Sequence, residues 1–205
     1  MRVAILGGTG AFGSALARRL VEAGIDVTIG SRDPDRAVAS ATEIGAARGL
    51  ANADAVAGAE LAVLSVDASA ALSTAAELAE PLGETPLLSV VSELRIENGA
   101  AYPSDSPMSL AERLQGLLRG PVVAGLHSLA AKTLSAGRAE GDALVCGDDD
   151  SAKATALELA ALLVTGRALD AGPLASARAL EGMTAVIVNL NRRYRGHAGL
   201  RVEGL

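Results

Sequence analysis

Aromatic side chains are nearly absent. The 205-residue chain holds one phenylalanine, two tyrosines and no tryptophan. Half of its residues are nevertheless apolar, so a core has to come from Ala, Leu and Val, which suits close packing of helices on a sheet. Three rings leave no stacking platform of the kind that holds single-stranded nucleic acid. Positive charge is in deficit, and a net charge of -6 argues against nucleic acid or an anionic membrane surface as partner. The lone cysteine, Cys146, excludes an intramolecular disulfide framework and any multi-cysteine metal site. Its apolar surroundings make it a small core residue. No apolar run approaches bilayer length, and a strand begins at once, with no basic-then-apolar leader. These absences predict a cytoplasmic protein of one domain, or one domain with a small appendage.

What is present is concentrated in the first thirty-two residues. A short apolar run, Val3-Ala4-Ile5-Leu6, fits a strand buried on both faces. Residues 14–23 then place Leu16, Leu20 and Val21 on one helical stripe, with Gly24 as the stop. Gly8-x-Gly10-x-x-Gly13 therefore falls at a strand-to-helix junction, the context in which such glycines bind a dinucleotide. Gly8 is expected to make the tight turn, Gly10 to admit a pyrophosphate and Gly13 to pack helix on strand. The anion would rest on free N–H groups at the positive end of the helix, around Ala11 and Phe12. A ligand-free glycine turn is the alternative.

The second strand, 26–29, runs into Gly30-Ser31-Arg32. An NAD site usually ends this strand in Asp or Glu to bind the ribose 2′-hydroxyl. Here a hydroxyl and a guanidinium stand instead, and Asp26 lies at the wrong end of the strand. Arg32 can pair with a 2′-phosphate through two parallel bonds, and Thr9 and Ser31 add hydroxyl donors. The pattern predicts NADP. The competing reading leaves Arg32 solvated beside Asp33 and Asp35.

Strand and helix keep alternating. Helices are expected at 37–44, with Asp33 as N-cap and Pro34 at its first position, and at 52–57, 68–82, 109–118, 151–164 and from 173 to about 194. Ser109 with Glu112 reads as a capping box. Strands are expected at 61–66, 86–91, 121–126, 143–146 and 167–170. Residues 92–108 carry two prolines and no sustained period, so they read as a long loop, a feature that is often functional. The whole is an α/β fold, a doubly wound, mainly parallel Rossmann-like sheet, with ligands gathered at the carboxyl ends of the strands. An NADP-binding unit over 1–172 and a small helical part over 173–205 are expected.

At this point the chain resembles the F420-dependent NADP reductases. The resemblance rests on Met1-Arg2-Val3-Ala4-Ile5-Leu6-Gly7-Gly8-Thr9-Gly10, Gly30-Ser31-Arg32 and Leu126-His127-Ser128. It continues with Val145-Cys146-Gly147-Asp148-Asp149-Asp150, Leu169-Asp170-Ala171-Gly172-Pro173-Leu174 and Ala177-Arg178-x-x-Glu181-x-x-Thr184. It implies a homodimer that moves hydride reversibly between nicotinamide C4 and C5 of the deazaflavin coenzyme F420. The cofactors carry that chemistry, so the protein needs few acid–base groups and must hold two rings face to face without water. The expected cofactor-binding set is Gly8, Thr9, Gly10, Ala11, Phe12, Gly13, Ser31, Arg32, Arg36 and Ser65; of these the resemblance carries Thr9, Ser31 and Arg32, and it places His127 and Thr184 as the catalytic pair beside the rings. Ser65-Val66-Asp67, Ala130 and Gly182 depart from the family pattern around the second substrate.

Other candidates carry competing readings. His127 donates to a ring carbonyl or carboxamide, or is a buried histidine satisfied by backbone. Lys132 with Glu181 is the acid–base pair that an imine or keto-acid reductase would need. A third possibility is a non-catalytic NADP-binding protein. Asp148-Asp149-Asp150 reads as a helix start, not a metal site. Arg192-Arg193-Tyr194-Arg195 either meets the phosphate and glutamate tail of F420 or closes a helix at its negative end.

Overall fold

A computed structural model describes residues 1–46 and 48–205. In chain order the elements are β1 (Arg2–Leu6), α1 (Ala11–Glu22), β2 (Asp26–Ser31), α2 (Pro34–Ile44), β3 (Arg48–Ala51), α3 (Asn52–Ala55), β4 (Leu61–Leu64), α4 (Ala68–Leu82) and β5 (Leu87–Ser89). Then come β6 (Leu94–Glu97), β7 (Ala100–Pro103), α5 (Leu110–Gln115), β8 (Val122–Gly125) and α6 (Ala131–Ala136). β9 (Ala143–Gly147), α7 (Asp150–Leu163), β10 (Ala168–Asp170), a 3-10 turn at Leu174–Ser176 and α8 (Ala177–Tyr194) complete the chain.

Eight strands form one sheet in the order β10-β9-β8-β5-β4-β1-β2-β3. Every neighbouring pair is parallel except β8 with β9. Six strands thus point their carboxyl ends at one edge, and β9 and β10 start from that edge. Alternate residues of the buried strands feed two cores, as the two-residue strand period requires. Val3 and Ile5 meet Leu16, Leu20, Leu159 and Leu163 on one face. Ala4 and Leu6 meet Leu78, Leu114 and Leu180 on the other. α8 therefore shares the second core through Ala177 and Leu180. Small side chains set the layer spacing: Ala15, Ala17, Ala71 and Ala75 are all buried.

Local sequence accounts for the element ends. Asp33 caps α2 by accepting from the N–H groups of Asp35 and Arg36, with Pro34 in the first turn. The Ser109–Glu112 capping box opens α5. Asp149 caps α7 through the Ala152 N–H, and Asp148 accepts from Leu174 N at 2.9 Å, which accounts for two of the three aspartates at this helix start. Cys146 is buried, and burial pushes its thiol up to about 12.

Residues 92–108 differ from expectation. They hold an antiparallel hairpin in which β6 pairs with β7. Asn98 and Gly99 turn it with φ of 47° and 78°, the two left-handed residues that a two-residue hairpin turn demands. β3 and α6 also lie where no element was expected. Each is short, four and six residues, too short to show a period.

Candidate functional site

The cleft follows the edge where β1, β2, β4, β5 and β8 end. Two cavities line it, of about 510 and 410 Å³. They share Gly10, Ser65, Val66 and Asp67, so they form one groove with two halves.

Gly7 makes the turn after β1. Its φ is +79°, and a Cβ there would lie 2.6 Å from the Ser65 carbonyl. The tight-turn role expected of Gly8 thus belongs to its neighbour. Gly8 spends its N–H on the carbonyls of Ile5 and Gly30, and Ser14 donates its hydroxyl to the Gly8 carbonyl at 2.9 Å. Gly13 has the expected packing role, because a Cβ would stand 2.7 Å from the Gly7 carbonyl. Gly10 caps α1 with no side chain. The first-turn N–H groups at Ala11 and Phe12 have no intrahelical acceptor and mark the positive end of a twelve-residue helix. Ser65 sits beside them at the end of β4, held by its N–H on the Leu6 carbonyl.

The larger half contains Thr9, Ser31, Arg32 and Arg36. The Ser31 hydroxyl accepts from the Asp33 N–H at 3.2 Å. Asp33 is turned to its own helix, and neither Arg32 nor Arg36 has a carboxylate partner among the described residues. Two exposed, unpaired guanidiniums beside two hydroxyls suit a phosphate dianion. Asn52 and Thr74 complete this half. Asn52 is buried and its Oδ1 has no partner among the described residues, so it can accept from a ligand. It is a site residue that the motif search missed, since one Asn before a four-residue helix carries no pattern.

The smaller half is apolar along Phe12, Val66, Val90, Val91 and Leu129, with Ser92, His127 and Thr184 as polar groups beside the shared Ser65 and Asp67. Leu126, immediately before His127, is left-handed at φ +66°. That conformation costs a non-glycine residue roughly 1–2 kcal/mol, and the buried Leu126 side chain helps to hold it. His127 is buried, and among the described residues neither ring nitrogen has a partner of hydrogen-bond geometry. Burial drives its pKa down to about 4, weakly opposed by the Val91 backbone. The ring is neutral at pH 7 and offers one donor and one acceptor. Thr184 donates its hydroxyl to the His127 carbonyl at 3.0 Å, which leaves the Ser92 hydroxyl, 2.7 Å away, as donor to Thr184. Thr184 therefore fastens α8 to the end of β8. Asp67 caps α4 without using its side chain and stands where the two halves meet.

The structure does not unite Lys132 with Glu181 as an acid–base pair. Lys132 is exposed on α6. Glu181 is buried and accepts from the N–H groups of Leu110 and Ala111 at 3.0 and 3.1 Å, so it caps α5 from another helix. Burial raises its pKa, and those two N–H groups pull it back. Arg192 donates to the Gly99 carbonyl and so ties the end of α8 to the hairpin turn.

Residues 2–93 match the family described as NADP oxidoreductase, coenzyme F420-dependent. The chain is 34% identical to the F420-dependent NADP reductase of Methanothermobacter marburgensis, over 100% of this chain and 99% of that one. A crystal structure from Arthrobacter sp. FB24, assigned as an F420-dependent NADP-reductase, superposes with a TM-score of 0.83 at 28% identity, covering 98% of this chain and 99% of that one. A reductive aminase from Aspergillus terreus shares the fold alone, at 21% identity and a TM-score of 0.68, with 95% of this chain matched to 62% of that one. Identity above 30% over the full length of both chains places the chain in the F420-dependent NADP reductase family.

Proposed function

We propose that this protein is an NADP-dependent oxidoreductase that transfers hydride between NADP(H) and coenzyme F420. The observation that carries the reading is the continuous groove, with Thr9, Ser31, Arg32 and Arg36 at one end and His127 and Thr184 at the other. Hydride passes between nicotinamide C4 and deazaflavin C5, and both reacting atoms belong to the cofactors.

The chain's own residues bind and orient. Arg32 and Arg36 take the 2′-phosphate with the hydroxyls of Thr9 and Ser31. The N–H groups at Ala11 and Phe12 take the pyrophosphate, and Gly10 leaves room for it. Gly8 and Gly13 shape that turn, and Ser65 offers a hydroxyl where the two halves join. The neutral His127 ring gives its N–H to a carboxamide or ring carbonyl, while Thr184 fixes its backbone. Phe12, Val66, Val90 and Leu129 keep water from the reacting faces.

A homodimer belongs to this reading. α8 exposes Val186, Leu190 and Tyr194, at 57, 41 and 72%, a row at four-residue spacing that a second copy would cover. A cytoplasmic setting also belongs to it: the one thiol is buried, and among the described residues no helix is long and apolar enough to cross a membrane.

The test is to mix the purified protein with NADPH and F420 and follow both absorbances. Turnover with NADPH and much less with NADH is expected. Tight NADPH binding with no loss of hydride to F420 would overturn the reading. Light scattering during gel filtration tests the dimer, and a monomeric mass would remove it.

A further inference from the structure

After α8 the chain forms no helix or strand, yet residues 196–202 are fastened at both ends. At the first end Arg195 turns the chain with φ of 54°, and the side-chain oxygen of Asn191 on α8 accepts from the Ala198 N–H. At the second end the segment lies against Asp142. The Asp142 N–H donates to the Leu200 carbonyl at 2.6 Å. The Asp142 carboxylate accepts from Val202 N at 2.8 Å, from Arg167 N at 2.7 Å and from Arg167 Nη2 at 3.2 Å. Arg167 also donates to the Val202 carbonyl. The Asp142 side chain is only 3% exposed, and these donors hold its pKa down to about 2.

Two glycines permit the approach. A Cβ at Gly141, whose φ is +99°, would run into the Leu200 carbonyl, and one at Gly199 would stand 2.8 Å from the Glu140 carbonyl. The segment and the turn before β9 therefore meet backbone to backbone.

Asp142 also holds a second element. It directly precedes β9, which pairs antiparallel with β8 so that Gly125 stands opposite Val145. Past the end of β8 the Leu126 N–H donates to the Leu144 carbonyl at 3.2 Å. The buried Ser128 hydroxyl then donates to the Asp142 carbonyl at 3.4 Å. These two bonds enclose the left-handed Leu126 and His127. A strained residue keeps its conformation only where its surroundings over-determine it. Thr184 on α8 holds the His127 carbonyl, and Asp142 holds the next residue. One piece of chain, 184–202, thus reaches the same loop twice, once directly and once through Asp142.

We infer that Asp142 is a positioning residue: it latches the segment after α8 onto the turn before β9 and, through Ser128, holds the His127 loop in the conformation used for hydride transfer. The inference rests on the reading above that His127 lies beside the reacting rings. It gives a part in that reaction to Asp142, Arg167 and Val202, none of which lines the ring half of the groove.

The test opens the latch from the segment. Val202→Pro removes the N–H that the carboxylate accepts and leaves the sheet untouched, and Val202→Ala keeps that N–H as the conservative variant. Hydrogen–deuterium exchange, read by mass spectrometry, is followed over 196–202, 126–130 and 2–64, together with kcat, KM for F420 and the NADPH Kd. In Val202→Pro, exchange should rise about tenfold over both 196–202 and 126–130 and stay unchanged over 2–64. Its kcat should fall about fivefold with the NADPH Kd unchanged. Val202→Ala should stay within about twofold of the unaltered protein in exchange and in rate. Asp142→Asn should reproduce the proline variant, which decides the matter by itself if the buried substitution prevents folding. Exchange that rises over 196–202 alone, or in neither segment, overturns the latch. Exchange that rises in both while kcat is unchanged overturns the positioning role. If the unaltered protein passes no hydride to F420, the deazaflavin reading fails on its own account, and exchange over 126–130 still decides whether Asp142 holds the loop.

Discussion

The Thr184 hydroxyl donates to the backbone carbonyl of His127 at 3.0 Å, so α8 is tied to the chain just past β8 at a residue that lines the groove. Ser92 donates to the same hydroxyl, which ties the end of β5 into the grip. Thr184→Val keeps the shape and removes both bonds. A carbonyl and a hydroxyl then lose their partner, at a cost of about 1–3 kcal/mol. The expected outcome is a fall of about tenfold in kcat, with NADPH affinity unchanged because the phosphate end lies elsewhere. Thr184→Ser should retain most activity. A kcat equal to that of the unaltered protein in the valine variant would show that the grip does not position His127 for transfer.

Arg32 tests the other end of the groove. Among the described residues its guanidinium has no carboxylate partner to compensate for a lost phosphate contact. Arg32→Ala should weaken NADPH binding by about 1–3 kcal/mol, the usual cost of removing a charged hydrogen-bond partner. NADH, which lacks the 2′-phosphate, should bind as before. Fluorescence titration of the two nucleotides decides it, and equal losses would remove the 2′-phosphate assignment.

How much of this was legible beforehand follows the range of the signal. Asp33, Ser109 and Asp149 announced their helices because a cap acts within three residues. The packing role of Gly13 was legible because strand, turn and helix are contiguous. The Asn98-Gly99 turn carried a hairpin signal too, but Pro103 and Pro107 nearby made the stretch look unstructured. Pro103 sits at the end of β7 in a two-stranded ribbon, where its missing N–H costs nothing. The Thr184–His127 and Asp142–Val202 contacts span 57 and 60 residues. No local pattern encodes such pairs, so Asn52, Asp142 and Arg167 emerged only from the fold. Glu181 entered only as half of an alternative acid–base pair, and its partners are instead the N–H groups of a helix 70 residues earlier.

That capping role gives its own prediction. Glu181 is a buried carboxylate shared between two N–H groups at the start of α5. In Glu181→Gln one of the two N–H groups meets an amide donor, and the cap loses its negative charge. A loss of about 1–3 kcal/mol in stability is expected, read as a lower denaturant midpoint, with kcat at saturating substrate within about threefold. A collapse of kcat with stability unchanged would restore the acid–base role.

His127 gives the pH dependence. Burial lowers its pKa from 6.5 to about 4, so between these values the unfolded chain binds a proton that the folded chain refuses. Stability therefore falls as pH falls through this window, by about 3 kcal/mol once pH 4 is passed. The shift belongs to the imidazole, so His127→Asn should flatten the slope of stability against pH between 6.5 and 4.5. The same neutrality governs catalysis. A ring that stays uncharged keeps one N–H donor throughout, and kcat/KM should show no inflection near 6.5. Denaturant midpoints and initial rates taken from pH 8 to 5 test both statements together. A rate inflection near 6.5 that disappears in His127→Asn would mean that the ring titrates in solvent, and that its burial in the groove is not what sets its charge.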